Sequence, residues 1–159
     1  MKYQASQLRY NVTVKEEKMI WTFRITCEYG PCLEDDWVRE IEISSYNTLY
    51  GMHLAIQTNI GFDNDHLYDF FGGRRSSNRR VIFTEDDRWE VREDVFYNTI
   101  LEDIYPLPKD IKLYYIFDYG DRWTFRIVKT RKKPKEKEAN VEYPRVIKEV
   151  GENPSQYGY

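Results

Sequence analysis

The stretch FDYGDRWTFRI, Phe117–Ile127, sets Asp118 and Asp121 around a Tyr-Gly pair and follows them with Trp123. Two carboxylates at that spacing can bind a cation or divide acid and base work between them. Upstream, His66 and Asp69 form a polar pair that could face the same cleft. His66, Asp69, Asp118, Asp121 and Trp123 are therefore the binding candidates. Turn chemistry accounts for the same residues without a ligand: Gly120 supplies a positive φ, and Asp118 and Asp121 accept hydrogen bonds from turn amides. His66 can likewise lock its turn through a hydrogen bond.

No catalytic residue is assigned. The chain contains no G-x-S-x-G, P-loop, G-x-G-x-x-G or H-E-x-x-H pattern, and neither cysteine has an obvious histidine partner. Cys27, Cys32, His53 and His66 match no common zinc spacing, so no metal or cofactor is expected. An enzyme with an acidic and histidine site around the hairpin remains an alternative, and requires these groups to converge on one pocket.

Two basic runs offer a different chemistry. RRSSNRR carries Arg74, Arg75, Arg79 and Arg80, and TRKKPKEK carries Lys132 and Lys133 and further lysines up to 137. Beside aromatic strands, such runs could hold single-stranded nucleic acid. Against that, the formal net charge is -3 and the pI about 5.5, and the acidic runs LEDD and TEDDRWEVRED lie close by. A polyanion partner is disfavoured on that balance, and solvated, ion-paired loops are the simpler reading. Trp37, Trp89 and Trp123 could line a ligand groove but suit a core equally well.

The positioning elements follow from periodicity. At 159 residues the chain has material for one domain, and 16% aromatic residues, with 14 Tyr, favour sheet. LRYNVTV (8–14), Ile20–Cys27 and Trp37–Ile43 alternate apolar residues as strands do, with Arg39 as the polar exception in the third. KEEK (15–18) is a charged turn. Leu49, Met52, Ile56 and Ile60 form one helical stripe, with Asn47 or Thr48 to cap its start and Gly61 to end it. DNDHLYDFFGG reads as a turn, a short strand and a glycine stop. The charge blocks around VIF read as a solvated hairpin or excursion, and NTILEDIYPLP as one or two helical turns capped by Asn98 or Thr99.

Leu113, Tyr115 and Phe117 alternate before the opening turn, and Trp123, Phe125 and Ile127 after it. A connection of Tyr119, Gly120 and Asp121 faces Phe117 with Trp123, Tyr115 with Phe125 and Leu113 with Ile127. It is preferred over a two-residue loop of Tyr119 and Gly120, which pairs Ile116 with Trp123, Tyr114 with Phe125 and Lys112 with Ile127 and is only slightly worse. Residues 131–140 read as an exposed linker, and YPRVIKEV as one more strand or helix. The element order predicts an α+β fold, an antiparallel sheet with one main and one short helix in two loosely similar halves. No run of roughly 20 apolar residues is present and the first residues lack a leader pattern, so a cytosolic protein with free thiols is expected.

TLYGMHLAIQTNIGFDNDHLYDF, LEDIYPL, YYIFDYGDRWTFRI and YPRVIKEVGENP occur in an order and spacing that resemble the Ri-plasmid open-reading-frame-three-like family, also labelled insertion-element passenger TnpR proteins. The resemblance spans about residues 19 to 157 and implies an α+β domain found on plasmids, in mobile elements and in chromosomes, with no catalytic mechanism attached. No serine-recombinase arrangement accompanies the TnpR label. The resemblance also implies departures: many relatives carry histidines where this chain has Tyr68 and Phe125, and cysteines around Val146 and Asn153. Residues 1–18 and 74–93 read as additions to the family pattern. An uncharacterised, non-enzymatic binding or interaction module with an unknown protein or small-molecule partner is the expectation. A nucleic-acid accessory protein of mobile elements is the alternative.

Overall fold

The computed structural model describes residues 19–83 and 89–158. The strand expected at residues 8–14 and the turn at 15–18 lie outside the described residues. Within them the chain runs β1 (Met19–Tyr29), β2 (Val38–Ser44), α1 (Leu49–Ile60), β3 (Tyr68–Gly73), β4 (Arg79–Ile82), α2 (Trp89–Asn98), α3 (Leu101–Ile104), β5 (Lys112–Phe117), β6 (Trp123–Lys129), β7 (Lys135–Glu136) and β8 (Arg145–Val150). The strands form one antiparallel sheet in the order β4-β3-β5-β6-β1-β2-β8, with the two-residue β7 paired to β1. This is the α+β fold expected from the element order.

One face of the sheet carries the core. Period two turns Phe23, Ile25 and Cys27 of β1, Leu113, Tyr115 and Phe117 of β5, and Trp123, Phe125 and Ile127 of β6 to the same side, where all are buried. The β5–β6 register is that of the three-residue connection, with Phe117 opposite Trp123, Tyr115 opposite Phe125 and Leu113 opposite Ile127. Helix α1 lays its predicted stripe of Leu49, Met52, Ile56 and Ile60 onto this layer. Thr48 caps it by accepting the Gly51 amide at 3.0 Å, and Gly61, at φ +76°, ends it. Gly30 leaves room for the Trp123 ring, which a Cβ there would strike.

Several local expectations are corrected. The charged segment expected as a hairpin or excursion contains β4, paired with β3, and then the ten-residue α2, a helix beyond the two expected. Phe96 holds α2 down: it is buried, with its ring 5.5 Å from Phe70 and 5.2 Å from Tyr68. Asn98 and Thr99 do not cap α3. Their side chains donate back to the Asp94 and Val95 carbonyls at the end of α2. The start of α3 is tied instead by Leu101 N–H to Asn47 and Glu102 N–H to Ser45. The exposed 131–140 stretch contains β7, and Lys135 reaches the buried Glu42 carboxylate at 2.5 Å beside Arg145 at 2.6 Å.

In the β5–β6 turn the left-handed residues are Asp118 (φ +63°) and Arg122 (φ +57°); Gly120 is not among them. Aspartate tolerates that region better than most residues. The glycine serves another purpose, because a Cβ at Gly120 would stand 3.3 Å from Asp118 Oδ1 and crowd the carboxylate that organises the turn.

Candidate functional site

Asp118 is the hub of the turn. Its Oδ1 accepts the Gly120 and Asp121 amides at 3.0 and 3.3 Å, and its own N–H donates to Leu67 O at 2.9 Å. That leaves Oδ2 facing His66 Nε2 at 3.5 Å. The same imidazole nitrogen lies 3.1 Å from the Tyr157 hydroxyl and 3.7 Å from Asp65 Oδ1. Tyr157 donates to Asp65 Oδ2, and Gln156 Nε2 donates to Asp65 Oδ1 at 2.9 Å. The Tyr157 hydroxyl, with Gln156 beside it, holds the Asp65 carboxyl below its usual range, and the same bond pushes the Tyr157 phenol up. The result is a surface array of carboxylates, imidazole and phenol at one end of the sheet.

The other candidates do not join it. Asp69 lies on the opposite side of β3 from Tyr68, buried, bonded to the Phe70 amide and paired with Arg79 at 2.9 Å. Among the described residues no hydrogen bond uses the Asp121 carboxylate. Trp123 is fully buried against Phe62, its indole N–H without a hydrogen-bond partner among the described residues. Trp37 is also core. Arg74, Arg75, Arg79 and Arg80 are exposed around β4, at one edge of the sheet. Lys132 and Lys133 follow β6, on the far side of β3 and β5, and Lys132 approaches Glu40 at 3.8 Å. No group of three or more His, Cys, Asp or Glu among the described residues is arranged to hold a metal.

Two structural devices escaped the sequence reading. Arg39, the polar exception in β2, is a buried clamp. It donates to Val150 O and Gly151 O at 2.9 Å and to Asn153 Oδ1 at 3.0 Å, while Trp37 Nε1 donates to the same Asn153 oxygen at 2.8 Å. Gly151 takes φ +80° with its α-carbon pressed towards the Asp36 carbonyl, where no side chain fits. The VGENP segment is thus a strap that delivers Gln156 and Tyr157 to Asp65 and His66.

His53 closes a buried ring. Its Nε2–H donates to Asn64 Oδ1 at 2.7 Å, and the Tyr115 hydroxyl donates to its Nδ1 at 2.6 Å. Gln57 Nε2 donates to Tyr115 at 2.9 Å, and Asn64 N–H returns to Gln57 Oε1 at 3.1 Å. One tautomer, neutral with the proton on Nε2, satisfies every bond in the cycle. Tyr68 stacks on the imidazole at 3.7 Å. Burial pushes the His53 pKa down to about 4 and the Tyr115 phenol up.

A groove opens elsewhere, between the Tyr105–Lys112 loop and the ends of β1 and β6. Its volume is about 610 Å³. Trp21, Tyr105, Leu107, Ile111 and Ile127 provide apolar walls, and Lys109, Lys112, Lys129, Glu102 and Asp110 the charged ones. The Trp21 and Tyr105 rings meet edge to face at 5.9 Å, and Lys129 Nζ lies 4.3 Å from the Trp21 ring centroid. No sequence candidate falls here. The signal was present only as the PLPKD turn after a short helix.

The sequence profile of the plasmid pRiA4b ORF-3-like protein family matches residues 32–156. A solved structure, that of MM3350 from Methanosarcina mazei Go1, a protein of unknown function, is similar at a TM-score of 0.59 and 17% identity. The match covers 83% of this chain and 70% of that one and bears on fold alone. No curated protein sequence matches. The chain belongs to the plasmid pRiA4b ORF-3-like protein family.

Proposed function

We propose that this member of the plasmid pRiA4b ORF-3-like family is a cytosolic, non-enzymatic binding module that takes a small ligand in the groove beside Trp21. The observation that carries the reading is the groove itself: about 610 Å³ of concave space with aromatic and aliphatic walls and a few charged groups. Small-molecule sites typically offer roughly 300–1,000 Å³ of that composition. Among the described residues no helix is long and apolar enough to cross a membrane.

The acid–base reading finds less support, because only His66 and Asp118 of its four groups approach each other. The nucleic-acid reading meets a similar difficulty, since Arg79, Lys132 and Lys135 are engaged by carboxylates and the two basic runs flank different strands. A fragment screen by 1H–15N NMR on the full chain tests the proposal. Shifts concentrated on the Trp21 indole, Ile111 and Lys129, abolished by Ile111→Arg, are expected. Shifts confined to the His66 end of the sheet, or none in the groove with any fragment, would overturn it.

A further inference from the structure

We infer that the groove selects ligands bearing one carboxylate on an aromatic or branched apolar body, with Lys129 as the counter-ion; this rests on the groove being the binding site. The groove has three ammonium groups, of Lys109, Lys112 and Lys129, against two carboxylates, of Glu102 and Asp110. None of the three lysines is in an ion pair among the described residues. Glu102 is already engaged: Ser45 Oγ donates to its carboxylate at 3.3 Å, and its amide donates to Ser45 O at 2.9 Å. The surplus is therefore positive and unneutralised.

Lys129 is the cation placed to act. Its ammonium rests on the Trp21 ring, 4.3 Å from the centroid, in a cation–π contact that positions the charge without consuming it. A ligand whose apolar body lies against Trp21, Leu107 and Ile111 would present its head group to that ammonium. A point charge on one lysine suits a monoanion. Phosphate dianions are usually met by guanidinium forks or clustered backbone amides, and no arginine lines the groove among the described residues.

The test uses three probes of matched shape, phenylacetate, phenylacetamide and phenethylammonium, titrated into the full chain at low ionic strength and followed by NMR and Trp fluorescence. Phenylacetate should bind about tenfold more tightly than the amide, the ratio a single charge-assisted hydrogen bond confers. The ammonium probe should bind most weakly. Lys129→Gln should bring phenylacetate down to the affinity of the amide, and Lys129→Arg should restore the preference. If amide and carboxylate bind equally with shifts at Trp21, or if the ammonium wins, the charge selection is wrong and the groove stands. If no probe moves a groove resonance, the groove itself fails.

Discussion

The protein's two histidines sit in hydrogen-bond sets built from nearly the same parts. His53 meets the Tyr115 hydroxyl, Asn64 and, through the tyrosine, Gln57. His66 meets the Tyr157 hydroxyl and Asp65, with Gln156 bonded to that aspartate. Both sets close on one loop, residues 61–66. Asn64 ties it inwards to His53, and Asp63 N–H, at 2.9 Å from Gln156 Oε1, ties it outwards to the strap. The difference is charge and water. The inner set uses a neutral amide where the outer uses a carboxylate, because His53 is 1% exposed and an unpaired charge there would cost several kcal/mol. The outer set, with the His66 side chain 38% exposed, can carry charge because solvent screens it.

Deleting each histidine should separate the two most sharply. His53→Ala leaves Asn64 Oδ1 without its imidazole donor and the Tyr115 O–H without its acceptor around a cavity, with an expected loss of about 3–5 kcal/mol. His66→Ala should cost less than about 1 kcal/mol. Urea unfolding at pH 7 reads both, and equal losses would dissolve the contrast.

Acid should act on the two sets in different windows. The unfolded chain protonates His53 near 6.5, and the folded chain resists until about 4. Between those values the unfolded state holds the extra proton, so stability falls as pH falls through 6.5 towards 4. A gap of that size corresponds to about 3 kcal/mol. For Asp65 the folded pKa lies below the usual 3.8, so its contribution is present above that value and is lost only in stronger acid. Urea midpoints from pH 7 to 4.5 should slope downwards for the native chain and flatten in His53→Ala. A native chain with no slope in this window would contradict the buried, neutral assignment.

The strap is the next place to cut. Asn153→Ala takes the shared acceptor from Trp37 Nε1 and Arg39 Nη2 and should cost about 2 kcal/mol. Because the strap also delivers Tyr157, the His66 resonances should shift while those of His53 hold still. Movement of both would mean that the loop couples the two sets.

Much of this was legible where a rule acts over short range. The β5–β6 hairpin is legible from its alternation, but its register is less so, since a two-residue loop would pair Ile116 with Trp123 and Tyr114 with Phe125 almost as well as the observed pairing of Phe117 and Tyr115 with them. Helix α1 announces its stripe, a cap at Asn47 or Thr48, of which the structure uses Thr48, and its Gly61 stop. Illegible features depend on partners remote in sequence. Arg39 interrupts an apolar alternation and is buried only because Val150, Gly151 and Asn153 return to meet it. His53 flanks the helical stripe and becomes core because Tyr115 supplies its hydroxyl. Helix α2 is hidden inside charge blocks and is held by Phe96 against rings on β3. The groove brings together Trp21, Tyr105 and Lys129 from three separate segments, so no local spacing could mark it.

The smallest effect gives the finest contrast, because the same atom is removed from each set. Tyr157→Phe takes one hydroxyl from Asp65 and His66 at the surface, where water replaces it, and the urea midpoint should scarcely move. The Asp65 carboxyl should nevertheless climb back towards 3.8 in an NMR titration, since the Tyr157 bond is the main cause of its depression. Tyr115→Phe removes the equivalent oxygen where no water reaches, leaving Gln57 Nε2 and His53 Nδ1 without partners, and should cost about 2–3 kcal/mol. A larger loss from Tyr157→Phe than from Tyr115→Phe would mean that the surface array, not the buried ring, fixes the loop. Asp65 would then stabilise the fold through the strap, and its low pKa would report tertiary structure instead of a local bond.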